Sequence, residues 1–199
     1  MIVFKGILFL IIYINALRQI GQLIIKKNHF FQNLIYGYII YYIFQFILGF
    51  IFQFALLNVM YYHWIIGFTL MMISGYSIYD LTKNKMLLES IKEHFKIYWL
   101  VYVFSLALIF ISVIYAPGHY LSNNLDDGYY MMKVINFTRG INVNIDPATG
   151  FVDIANLKTK LARIVNTCEL DLASYCYLFK IDVLVFVNYI YTWFNYYFI

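Results

Sequence analysis

Apolar residues in this chain come in long runs, not in alternation. Residues 2–25 form the first run, interrupted by Asn15, Arg18 and Gln19. A helix of that length reaches across the roughly 30 Å of a bilayer core, so the run predicts a membrane span. Arg18 must then snorkel or face protein. Residues 31–57 form a second run without formal charge; it exceeds the length a span needs, which predicts tilt or an interfacial start. Residues 60–79 form a third, with Tyr61, Tyr62 and Trp64 at one end and Tyr76 and Tyr79 at the other, as headgroup anchors would be placed. The fourth, residues 97–116, is stopped by Pro117-Gly118. A fifth begins beside Asp182 and covers 181–199.

The stretches between the runs carry their own patterns. In residues 82–96, Leu87, Ile91 and Phe95 make one apolar stripe, while Lys85, Glu89, Lys92 and Lys96 take other faces, which predicts an amphipathic interfacial linker. Residues 117–180 read as a loop with short helices: one from Asp126 to Arg139, ending near Gly140, then a turn-rich segment around Asp146-Pro147. Asn166 and Glu169 resemble a capping box opening a helix that runs to about Phe179. The fold expected is all-α: a polytopic integral membrane protein of about five transmembrane helices. Residues 1–116 form its four-span region, 117–180 an extracytoplasmic part and 181–199 the last span. Arg18, Lys26 and Lys27 mark the first loop, and Lys83, Lys85, Lys92 and Lys96 the third, whereas the loop around Asn58 carries no cation. The positive-inside rule then puts the N-terminus and the Asp126 loop outside.

Composition agrees with this class. The chain is 63% hydrophobic and 12% charged, with mean hydropathy +0.73, against about 25% charged residues in soluble domains. The net charge of +4 is dispersed, which argues against nucleic acid as a partner and leaves the lipid bilayer. No small-x-small cleavage site closes the first run, so it is expected to be a retained helix. Cys168 and Cys176 stand eight apart; on a helix that is about 12 Å of rise, too far for a disulfide. No zinc spacing, P-loop, GxSxG, HExxH or dinucleotide fingerprint occurs. Within the spans ionisable residues are scarce, which argues against an ion path. Gln45 and Gln53 read as hydrogen-bonding glue between helices.

Acidic residues sharpen the picture. Residues 1–116 hold only Asp80, Glu89 and Glu93, and the first acids beyond them are the adjacent pair Asp126-Asp127. A carboxylate beside a membrane can serve as general base, and a pair can hold a divalent cation through hard oxygens. Mutual repulsion would raise one pKa of the pair. The same residues also suit the first turn of a helix with no function at all. His119, Lys133 and Arg139 flank the pair; they could meet a phosphate-bearing donor or simply solvate a loop.

Taken with the four spans, Asp126-Asp127 and Tyr130, the turn Asp146-Pro147-Ala148-Thr149-Gly150, and Glu169 with Ala173 resemble a group of uncharacterised bacterial polytopic membrane proteins. Those proteins are similar to GT-C-type glycosyltransferases of surface-polysaccharide assembly. The resemblance implies a transferase of the bacterial plasma membrane in which Asp127 or Asp126 is the base toward an acceptor hydroxyl, with Glu169 as a further carboxylate. It places Tyr130, Lys133, Arg139 and His119 on the substrate side and makes a polyprenyl-linked sugar the donor. The acidic element follows the fourth span here, whereas in the GT-C pattern it follows the first. Members of such families are longer, so this chain is expected to be their N-terminal part, working with a C-terminal companion chain. The alternative is a non-catalytic subunit of a respiratory-type complex in the mitochondrial inner membrane, suggested by the small size and the Phe, Tyr and Ile content.

Overall fold

A computed structural model describes residues 2–25, 29–83, 89, 92–93, 95–104, 107, 125–141 and 167–191. The described elements are helical: α1 (Ile2–Ile25), α2 (Phe30–Phe54), α3 (Val59–Lys83), α4 (Phe95–Phe104), α5 (Leu125–Thr138) and α6 (Cys168–Phe179). A single α-turn, Val183–Val185, follows and continues as a π-helix, Phe186–Tyr191.

Among the described residues, α1, α2 and α3 are long and apolar enough to cross a membrane. Helix α4 is apolar but short; most of the expected fourth run beyond it lies outside the described residues, as do residues 192–199 of the fifth. Three span-length helices are therefore described, not five. Most of the expected linker at 82–96 also lies outside them, and α3 runs on to Lys83.

Helix α1 is the hub. It packs along both α2 and α3, which touch each other far less. Its crossing with α2 is set by two glycines: a Cβ on Gly21 would sit 1.8 Å from the Asn33 carbonyl oxygen, and one on Gly37 1.8 Å from that of Leu17. Small residues at a membrane helix crossing let backbones meet in this way. The link from α2 to α3 is tight, with Leu56 in the left-handed region (φ 54°). Asn58 then opens α3, its Oδ1 accepting from the Met60 amide at 2.9 Å, a good N-cap residue for that purpose.

Because α2 and α3 diverge, a cleft opens between them above α1, and α6 fills it. Every residue of α6 from Glu169 to Cys176 is buried. Its N-cap is Thr167, not Asn166, and no side chain caps it; the Leu170 and Asp171 amides instead bond the Thr167 carbonyl at 3.0 and 3.1 Å. Asn166 itself lies outside the described residues. The helix ends on Lys180 in the left-handed conformation (φ 49°), with the Ile181 amide reaching the Cys176 carbonyl. Both cysteines are thiols without a disulfide, and both lie on this one helix.

Helix α5 packs against α6, burying Val134 and Phe137. It ends in a Schellman turn: the Ile141 amide bonds the Asn136 carbonyl, and Gly140 takes φ 80°.

Candidate functional site

The cleft occupied by α6 is where the buried polar groups gather. Tyr62 and His63 stand in the first turns of α3, and Gln45 lies nine residues before the end of α2. At 1.5 Å per residue, Gln45 is roughly 13 Å inside that end of the bundle. Helix α6 brings Asp171, Ser174 and Tyr175 to meet them. The Tyr62 hydroxyl donates to Asp171 Oδ1. Gln45 Nε2 donates to the Tyr175 hydroxyl at 2.7 Å. His63 Nδ1 pairs with Ser174 Oγ at 2.7 Å, and its Nε2 meets the Phe137 carbonyl of α5 at 2.9 Å. One imidazole thus ties three helices together, with its ring stacked on Tyr177.

Burial drives the Asp171 carboxyl up to about 7; the Tyr62 hydrogen bond opposes this and neighbouring Glu169 adds to it. Beside Asp171 lies a void of about 40 Å³ lined largely by aromatic rings, among them Tyr13, Tyr38, Tyr42 and Tyr175. That is room for water. The neighbourhood can therefore hold or release a proton at Asp171 near neutral pH, with Tyr62 fixing the carboxyl's orientation.

A second polar cluster sits toward the other end of the bundle. Arg18 is fully buried. Its Nη2 donates to Ser77 Oγ at 2.6 Å, to the Ser77 carbonyl at 3.2 Å and to Gln19 Oε1 at 2.8 Å, and its Nη1 donates to Gln22. Asp80 stands 3.9 Å away and keeps 24% of its side chain exposed. Of the two options for Arg18, the guanidinium faces protein.

The residues expected to carry chemistry fall into three groups. The backbone of Asp126, Asp127 and Tyr130 lies in α5, with the acid pair in its first turn, while their side chains lie outside the described residues. His119 and the 146–150 turn lie outside them altogether. Lys133 and Glu169 are brought together: both are buried, one on α5 and one on α6. Burial raises the Glu169 pKa and the Lys133 charge pulls it back. Arg139 is exposed at the end of α5. Among the described residues, no group of three His, Cys, Asp or Glu side chains is placed to hold a metal ion.

Asp171, Tyr62, His63 and Ser174 were not anticipated. The signal available was Asp171 and Ser174, three residues apart, which puts both on one face of a helix whose other strongly polar residue is Glu169.

Three span-length apolar helices enclosing a short polar one point to an integral membrane protein of the α-helical class. No family model, curated protein or solved structure matches the chain.

Proposed function

We propose that the chain is a membrane transferase of the GT-C-like kind, acting on a lipid-linked sugar in surface-polysaccharide assembly at the bacterial plasma membrane. The observation that supports this reading is the mounting of α5. The helix whose first turn holds Asp126 and Asp127 packs on α6, and α6 is bonded into the bundle through Tyr62, His63 and Gln45. A carboxylate pair carried by a helix mounted in this way would keep a constant position at the bilayer surface, which positioning of a general base requires.

In the proposed reaction an Asp127 or Asp126 carboxylate takes the proton of an acceptor hydroxyl. The hydroxyl oxygen bonds to the anomeric carbon of the sugar, and the bond from that carbon to the lipid phosphate breaks, its electron pair leaving with the phosphate. Exposed Arg139 stands past the opposite end of α5, roughly 18 Å along the axis from Asp127, and so does not serve the same phosphate. Lys133, buried on α5, acts on the buried Glu169 carboxyl of α6 through its charge. The positive-inside pattern supports an outward-facing pair.

The test replaces the gene in its own cell with the Asp127→Asn or Asp126→Asn variant. The expected result is loss of surface polysaccharide while the protein stays at normal level in the membrane fraction. Unchanged polysaccharide in both variants sinks the proposal. A second reading, a non-catalytic subunit of a larger membrane assembly, is favoured by the way the Asp171 carboxyl is absorbed in an internal bond to Tyr62. It predicts unchanged polysaccharide together with comigration of the chain in a large complex on native gels.

A further inference from the structure

Away from the cleft, α1 and α3 leave a groove of about 530 Å³ along the bundle surface. Leu8 and Ile12 form one wall and Phe68 and Met71 the other. The floor is Leu178 of α6, which approaches so closely that a Cβ on Gly67 would lie 2.5 Å from its Cδ2. The rim is strongly apolar and exposed: Phe68 is 69% exposed and Met71 60%. An apolar chain can enter sideways from lipid without crossing a polar barrier.

Two charged side chains line the groove, Lys5 and Lys180, and both are cations. They meet at one end, where Lys5 Nζ donates to the Lys180 carbonyl at 2.7 Å. That bond uses one of three ammonium protons. It fixes Lys5 beside the left-handed cap that places Lys180. Asp182, the nearest acid along the chain, spends Oδ1 on the Leu184 and Val185 amides. Exposed Trp64 shares this end, as an interfacial aromatic would. From Lys5 to Ile12 the groove runs roughly 10 Å along α1, about a third of a bilayer's hydrocarbon depth.

We propose that this groove is a binding site for one anionic phospholipid, its phosphate held by Lys5 and Lys180 and the upper part of one acyl chain lying between α1 and α3. The match is of charge as well as shape: a single cationic end on an apolar slot open to lipid. The proposal stands apart from the transferase reading and survives its failure.

Native mass spectrometry of the full chain, purified in a non-ionic detergent, decides it. The chain is titrated with phosphatidylglycerol and with phosphatidylcholine of the same acyl length. Phosphatidylglycerol is expected to be retained roughly thirtyfold more strongly, the scale set by two lysines near an anionic headgroup. In K5Q/K180Q that preference is expected to vanish, and in Leu8→Trp, which fills the groove, both adducts are expected to weaken. Equal retention of the two lipids by the unaltered chain overturns the proposal, as does a preference that persists in K5Q/K180Q. Displacement by millimolar inorganic phosphate also overturns it, revealing a free-phosphate site instead. If the double variant does not elute as folded protein, Lys180→Gln alone carries the same decision, because that side chain is exposed.

Discussion

The Tyr62 hydroxyl donates to a carboxylate oxygen of Asp171, 109 residues further along the chain, and both side chains are buried. One hydrogen bond thus joins the start of α3 to the first turn of α6. Tyr62→Phe keeps the ring and removes the donor. Leaving a buried acceptor unmet costs about 1–3 kcal/mol, so the variant should unfold at lower temperature in detergent. An unchanged melting temperature would show that the bond adds nothing to the seating of α6.

Asp171 also sets a pH dependence. Its carboxyl titrates at about 7 in the folded chain against 3.8 for an ordinary aspartate. Between those values the folded state binds more protons than the unfolded one, so stability falls as pH rises from about 4 to about 7, then levels off. Glu169, raised by burial, adds a contribution of the same sign. Asp171→Asn removes the larger share, and melting temperatures recorded across that range should lose most of their slope. A slope as steep as that of the unaltered chain would place the titration elsewhere.

Arg18 and Asp80 can each be removed from the other. Asp80 faces the fully buried guanidinium at 3.9 Å through an Oδ2 that is itself buried, so Asp80→Asn takes the counter-charge from a buried cation and should cost up to roughly 3–5 kcal/mol. Arg18→Met removes the charge as well and strands only the buried Ser77 and Gln19 acceptors, each worth about 1–3 kcal/mol. Chemical denaturation of the two variants side by side measures the losses; an Asp80→Asn variant as stable as the unaltered chain would contradict this account.

Glycine substitutions separate contact from propensity. Gly37→Ala drives a methyl group into the Leu17 carbonyl, backbone that cannot step aside, and should sharply reduce the yield of folded chain. Gly75 has open space where a Cβ would go, so Gly75→Ala should be neutral or stabilise by up to about 1 kcal/mol through helix propensity. Folded yield by size-exclusion chromatography reads both variants.

Hydropathy made α1, α2 and α3 legible, because a span must carry its apolar length within one contiguous segment. Arg18 and Gln45 were legible too, since a polar group in such a segment needs a protein partner. The helix of α6 was legible as well, ending at Phe179 as expected, but its place was not. Twelve residues with Glu169 and Asp171 in the first turn read as part of the extramembrane stretch, and only its packing between α2 and α3 makes that segment a core element. The role of Asp171 depends on Tyr62, a partner no local pattern points to. For the Asp126-Asp127 pair, the helix that holds it was expected from sequence, ending near the same Gly140; its chemistry still awaits the substitutions proposed above.

The late position of α6 has a consequence for biosynthesis. His63 leaves the ribosome 111 residues before its partner Ser174, roughly 5–20 s at ordinary elongation rates. For most of that interval, once Lys83 has emerged, the first three helices are complete while Tyr62, His63 and Gln45 await α6. The newborn bundle must therefore be sheltered from lipid on that side until the plug arrives, which makes it a natural client for the insertion machinery.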